Sequence, residues 1–327
     1  MYDLVSLGEV MLRMSPPRYQ RLRRAHVLEV AVCGSQLNVA ANLARLGRRT
    51  AFVTKLPANE LGMLALDDCR SYGVDVSHIQ LVPGTRMGVN YVEFSGAPRP
   101  GVAVYDRQHS AASTIAPGDF AWDLLLKRTT LAYTDGIFPG LSSSCREAAL
   151  EFVRVAKRQQ CIICFDMNYR EHLWTPFEAR QVWSQLLPYV DVLVTNGWVS
   201  QNVFGYEGTE AEMANRYTQE FGCRVVCLTS RESNGLWRGA WNSLAVSDGQ
   251  SYLGRRVEFE VVDRFGTGDA WFAGFLYGYL QGDIEMALNF GNALCALAHT
   301  IEGDIVHVSA DEVKALWGTG YELRVRR

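Results

Sequence analysis

Residues 263–269, Asp263-Arg264-Phe265-Gly266-Thr267-Gly268-Asp269, set two glycines and a terminal carboxylate between an apolar stretch, 257–262, and a helix-patterned one, 270–280. A strand that feeds a glycine-rich turn and then a helix aims unpaired backbone N–H groups and the positive end of a helix dipole at one point. That arrangement suits a polyanion such as a phosphoryl group. A carboxylate in the first helical turn can accept a proton from a hydroxyl attacking beside that anion. The same residues also read as a softened turn with Asp269 as a helix cap. The rest of the chain has to discriminate between the two.

Elsewhere, strand-like runs alternate with helical ones: strand 4–10, helix 35–46, strand 51–56, helix 62–72, helix 143–157, strand 161–166, helix 178–187, strand 190–195, helix 210–221 and strand 224–228. The alternation predicts an α/β fold, a parallel sheet with helices on both faces. Such sheets bind ligands beyond the carboxyl ends of their strands. Polar residues fall at those points: Gly34 and Asn38 open the first helix, Asp166, Asn168 and Arg170 follow one strand, Asn196 follows another, and Asp269 follows the last. Residues 20–32 and 87–105 break the rhythm with short β-like pieces. These can pair as a small flap that closes over a substrate and excludes water, or form an edge hairpin.

With 327 residues, 48% hydrophobic and 20% charged, the chain is expected to bury a large core. A net charge of -3 gives no nucleic-acid-binding signature, so any phosphate affinity must be local. No apolar run approaches a membrane span, and Met1-Tyr2-Asp3-Leu4 enters a strand pattern without a basic and apolar leader, so a cytoplasmic location is expected. Cys161, Cys164, Cys223 and Cys227 read as buried thiols rather than a zinc site, because residues three apart on a strand face opposite ways. The six histidines show no metal spacing, and no protein-held metal is predicted. Trp271 reads as core, Trp198 as an adenine flank or a buried helix start, and Ala293, Ala296 and Ala298 as a surface for close helix packing.

Two stretches, Cys33-Gly34-Ser35-Gln36-Leu37-Asn38-Val39-Ala40 with Leu43-Ala44-Arg45-Leu46-Gly47, and 263–269, resemble the N- and C-terminal signatures of the ribokinase-like, or PfkB, carbohydrate kinases. Residues 8–17, Tyr105-Asp106-Arg107, Asp166-Met167-Asn168-Tyr169-Arg170, Arg231-Glu232-Ser233 and 299–304 are similar to bacterial 2-keto-3-deoxygluconate kinases. The resemblance implies one Rossmann-like domain over 1–327 with a β-lid from about 12–32 and 86–108. It implies ATP and Mg²⁺, with a monovalent cation left open, and transfer of a phosphoryl group to a sugar hydroxyl. Asp269 is then the base, and the N–H groups of Gly266, Thr267 and Gly268 form the anion hole. Gly34, Asn38, Tyr105, Arg107, Asn168 and Arg170 take the substrate, the arginines holding its carboxylate. Asn196, Thr229, Arg231, Gly266 and Gly268 take the nucleotide. The lid edges also allow a homodimer.

The chain departs from the family pattern at three places. The usual Asn-x-x-Glu segment is Asn196-Gly197-Trp198-Val199, without the carboxylate that helps organise Mg²⁺ and its waters. Cys33 stands where the N-terminal signature has a first glycine, and Asn90 where a substrate-facing tyrosine is expected. Arg13 replaces an Asp that grips hydroxyls in neutral-sugar kinases, which favours an acidic substrate. A kinase for another sugar, or a fold-retaining sugar or nucleotide binder without turnover, are the alternatives. A nicotinamide redox enzyme is disfavoured because no G-x-G-x-x-G follows the first strand.

Overall fold

The computed structural model describes residues 1–96, 98–233 and 235–319; the basic tail 324–327 lies outside them. The main sheet runs in the order Thr50–Val53, Leu4–Leu7, Leu131–Asp135, Ile162–Asp166, Val192–Thr195 and Val225–Ser233, all parallel. Arg238–Ser247 and Gln250–Leu253 extend it antiparallel, and Val257–Glu260 pairs with the first half of Arg238–Ser247.

Alternate residues of the parallel strands enter two separate cores. Leu131, Tyr133, Cys164, Val192 and Val194 face one; Ala132, Ile163, Phe165, Leu193 and Val226 face the other. Burial on both faces is why these strands read as continuous apolar runs. Helices Ser35–Arg45, Glu60–Ser71, Thr267–Tyr279 and Ile284–His299 close the first core, and Ser143–Arg158, Pro176–Leu186 and Glu210–Phe221 the second. All eight cysteines are buried free thiols, and Cys161 and Cys164 enter opposite cores.

Helix Thr267–Tyr279 packs backbone to backbone on Ile284–His299. A Cβ on Gly274 would fall 2.9 Å from Gly291 Cα, and one on Gly278 would fall 2.5 Å from Ala287 Cα. That contact leaves Trp271, Phe272 and Phe275 fully buried, and Ala293, Ala296 and Ala298 lie in the same core. Each such aromatic contributes about 1.5–3 kcal/mol, so the helix carrying Asp269 has a fixed axis.

A second sheet orders Glu29–Cys33, Met11–Ser15, Gly88–Glu93 and Val102–Asp106. Its register aligns Arg13, Asn90 and Tyr105 on one face. The opposite face carries Leu12, Val32 and Val89, which are buried, and further out Val30, Met14, Tyr91 and Val104 in a row. Val30 and Val104 in that row are exposed. No helix among the described residues is long and apolar enough to cross a membrane.

Candidate active site

Asp269 lies in the first turn of Thr267–Tyr279, preceded by Gly266 at the N-cap with a left-handed φ of 67°. A Cβ on Gly266 would fall 2.0 Å from the Asp304 carbonyl oxygen, so backbone angle and space both require glycine. Where a Cβ on Gly268 would sit, nothing lies within 4 Å. Thr267 is buried, its hydroxyl turned back to the Arg264 carbonyl at 3.1 Å. The helix start thus offers its first N–H groups, which have no intrahelical acceptors, on an open side beside a carboxylate.

Both oxygens of Asp269 are held. Ser35 Oγ donates to Oδ1 and Asn38 Nδ2 to Oδ2, each at 2.8 Å. Both donors come from the first turn of helix Ser35–Arg45, whose N-cap Gly34 has no room for a side chain: its Cβ would meet the Glu9 carbonyl oxygen at 2.3 Å. Burial pushes the Asp269 carboxyl up to about 6, opposed by the Asn38 and Ser35 hydrogen bonds and assisted by the negative charge of Asp135. Asp166, one sheet strand away, is pushed up to about 8 by burial and then by Asp135 and Asp269.

Gly268 also borders a cavity of about 330 Å³ together with Asp166, Asn168, Arg170, Asn196, Thr229, Trp198 and Trp241. These come from the carboxyl ends of three neighbouring parallel strands and the residues just after them, with Trp241 from the antiparallel strand beside them. Over this frame, residues 1–310 match the family described as pfkB family carbohydrate kinase. The chain belongs to that family. It is 35% identical over 313 residues to the 2-dehydro-3-deoxygalactonokinase of Haloferax volcanii, covering 95% of each chain. It is 30% identical over 309 residues to the 2-dehydro-3-deoxygluconokinase of Thermoproteus tenax, covering 93% of this chain and 90% of that one. The crystal structure of the 2-dehydro-3-deoxygluconokinase of Thermotoga maritima superposes with a TM-score of 0.93 at 34% identity, covering 98% of this chain and 99% of that one.

The kinase brings most of the sequence-selected residues together, with some differences. Asn168 has a left-handed φ of 35° and gives its side-chain amide to Ser35 Oγ at 2.9 Å and Asp135 Oδ2 at 3.2 Å. Arg170 lines the cavity, one of its N–H groups on the Tyr169 carbonyl at 3.2 Å. Arg107 is buried and paired with Glu9, which also accepts from Ser110. Its charge is therefore already met, although Nε has no partner. Tyr105 stacks on His172 with ring centroids 4.3 Å apart, and the Arg107 guanidinium lies over the same tyrosine. His172 is thus a packing histidine that joins the small sheet to the segment carrying Arg170.

On the other side of the cavity, Asn196 caps helix Gly197–Asn202 through the Val199 N–H at 2.9 Å. The Val199 side chain packs into the second core at 2% exposure, so the missing carboxylate is replaced by core rather than by another polar group. Trp198 is 52% exposed and packs on Tyr169, which rules out the buried helix-start reading. Arg231 lies exposed two residues beyond Thr229 on Val225–Ser233. Crowding by neighbouring protein atoms around its accessible guanidinium lowers its proton affinity, and so does nearby Arg264, a pair of cations that a polyanion would relieve. Asn90 is buried with an unpartnered Oδ1, and Cys33 is buried without displacing Gly34.

Arg13 corrects the sequence reading. Its guanidinium lies 2.9 Å from Asp304 and 3.5 Å from Asp263, against the rings of Phe94 and Phe265, which themselves meet edge to face. It therefore neutralises the kinase's own acids and gives no direct argument for an acidic substrate. Asp135, which the sequence reading passed over, sits at the centre of the site's hydrogen bonds.

Proposed function

We propose that this kinase transfers the γ-phosphoryl group of ATP to a hydroxyl of a 2-keto-3-deoxy sugar acid, 2-keto-3-deoxygluconate or its galactonate epimer. The observation that carries this reading is Asp269, ionisable near neutrality, held by Ser35 and Asn38 at an open helix N-terminus. The named relatives act on 2-dehydro-3-deoxygalactonate and 2-dehydro-3-deoxygluconate. Arg170 supplies the cation for the acid's carboxylate, because Arg107 is already paired.

In the transfer, the sugar hydroxyl oxygen bonds to the γ-phosphorus as its proton passes to Asp269. The bond from phosphorus to the β–γ bridging oxygen breaks, and ADP leaves. Phosphoryl transfer needs alignment and charge stabilisation more than covalent help. The N–H groups of Gly266, Thr267 and Gly268 stabilise charge on the transferring oxygens, with Asn196, Thr229 and Arg231 along the nucleotide. Among the described residues no group of three or more His, Cys, Asp or Glu side chains is placed to hold a metal, and Val199 is core. Mg²⁺ therefore fits as an ion carried in on the phosphates, where it would neutralise β- and γ-oxygen charge.

The test is ADP formation across a panel of 2-keto-3-deoxy acids, other sugar acids and neutral sugars. The acids should be turned over fastest. Arg170→Met should raise their KM about 10- to 100-fold, the range of a charge-assisted hydrogen bond, and leave any neutral sugar nearly unaffected. Equal turnover of neutral sugars would refute the acid assignment, and ATP binding without sugar-dependent ADP would point to a non-catalytic binder.

The apolar row Val30, Met14, Tyr91 and Val104 supports a homodimer through the small sheet. Sedimentation of the wild type should give a dimer, and Val104→Arg a monomer; a monomeric wild type at micromolar concentration would end the idea.

A further inference from the structure

Asp135 ends strand Leu131–Asp135, is fully buried, and has no part in the transfer as described. Its Oδ1 accepts the N–H groups of Ile137 at 2.9 Å and Phe138 at 3.2 Å and the Gln36 side-chain amide; its Oδ2 accepts from Asn168 at 3.2 Å. Through these bonds it reaches the base. Asn168 Nδ2 also donates to Ser35 Oγ at 2.9 Å, and the Ser35 hydroxyl donates to Asp269 Oδ1 at 2.8 Å.

We propose that Asp135 is a positioning residue that, through Asn168 and Ser35, fixes the direction of the hydrogen bond donated to Asp269. The proposal rests on reading Asp269 as the base. A side-chain amide presents donor and acceptor ends of nearly equal shape, so it needs a neighbour that tells them apart. A carboxylate only accepts, so Asp135 selects the orientation in which the NH₂ group of Asn168 faces both itself and Ser35. Ser35 Oγ then already accepts one hydrogen bond, and its single hydrogen is directed to Asp269. Without Asp135 the amide can turn, offer its oxygen to Ser35, and draw that hydrogen away from the base.

The charge of Asp135 acts on Asp269 as well, raising its proton affinity, whereas the Ser35 hydrogen bond lowers it. The other groups facing the pair are Asp166 and Asp304, Tyr133 and the cation Arg170. Removing Asp135 therefore acts on Asp269 in two opposing senses, the lost charge lowering its proton affinity and the misdirected Ser35 hydrogen raising it, whereas removing Asp135 where Ser35 is already alanine leaves only the charge effect. A general loss of structure has no reason to depend on Ser35 in that way.

The experiment is kcat/KM against pH for the wild type, Asp135→Asn, Ser35→Ala and the double variant, with Asp269→Asn alongside. The wild type should lose activity below about pH 6. Asp135→Asn should move that limb down by about one unit where Ser35 is alanine and by clearly less where the serine is present, and should lower the plateau kcat about tenfold only where the serine is present, with little change in the KM for ATP. Ser35→Ala should move the limb up. Asp135→Ser, which removes the charge with less volume, replaces the asparagine variant if melting shows that it does not fold. Equal effects of Asp135→Asn with and without the Ser35 hydroxyl, with Asp269→Asn inactive, overturn this proposal and leave the base in place. An active Asp269→Asn overturns the base itself.

Discussion

Asp269→Asn should lower kcat about a thousandfold, within the range of about 10²–10⁴ for removal of a general base, with ATP binding at or slightly above the wild-type affinity. The amide has the shape of the carboxylate and keeps an oxygen for the Ser35 hydroxyl, which donates to Oδ1 at 2.8 Å. Its NH₂ end would face the Asn38 amide, which donates to Oδ2. Asn38 can turn to accept, giving up only its 3.4 Å contact with the Gly34 N–H. The fold therefore survives, and a melting temperature within a few degrees of the wild type is expected. Because the substitution removes one negative charge beside the helix N-terminus, a polyanion has no reason to bind more weakly. Calorimetry with a non-hydrolysable ATP analogue, beside the ADP assay, separates the two effects. Turnover within tenfold of the wild type would remove Asp269 from the chemistry.

How far the site could be read from the chain depended on how local its signals are. The glycine-turn-helix of Gly266 to Asp269 and the helix start at Gly34 and Asn38 are encoded within a few residues, and the structure brings Asn38 and Asp269 into direct contact. Strand and helix alternation gave the parallel sheet because its strands are apolar on both faces. Strand Leu131–Asp135 escaped notice: five buried residues without alternation look the same as a piece of buried helix, and Gly136 after them punctuates either element. Asp135 was lost with it. The antiparallel strands Arg238–Ser247 and Gln250–Leu253 were also missed, and Val225–Ser233 runs beyond the predicted end at 228, because its polar second half is held by ladder pairing rather than by apolar pattern. Charge pairing across long sequence separations was the least legible feature. Nothing local to Arg13 says that residues 263 and 304 will surround it, and nothing local to Arg107 says that Glu9 will take its charge.

Arg13→Met should destabilise the protein by about 3–5 kcal/mol at pH 8, the cost of leaving buried carboxylates without their cation. The side chains of Arg13, Asp263 and Asp304 are each under 10% exposed, so water cannot take over the pairing. Methionine keeps an unbranched apolar chain against Phe94 and Phe265, which limits the packing defect beside the electrostatic loss. Asp263 would keep its three backbone donors, from Arg264, Phe265 and Gly303. Asp304 has no comparable support: its Oδ2 has only the guanidinium beside it. Burial pushes the Asp304 carboxyl up to about 7, with Arg13 opposing the rise. A folded-state value above the ordinary carboxylate range means that the folded protein holds a proton which the unfolded chain releases, so stability falls as pH rises through that interval. Loss of Arg13 lifts the folded value further and extends the fall to higher pH. The gap between variant and wild type should therefore be small near pH 5, where Asp304 is protonated in both, and widen steadily toward pH 8. Denaturant titrations across that range measure it, and a pH-independent gap, or one below about 1 kcal/mol at pH 8, would show that the buried cation contributes packing alone. Because the Asp304 carbonyl oxygen abuts Gly266 and Phe265 stacks on Arg13, the same cluster ties the small sheet to the helix start that carries Asp269.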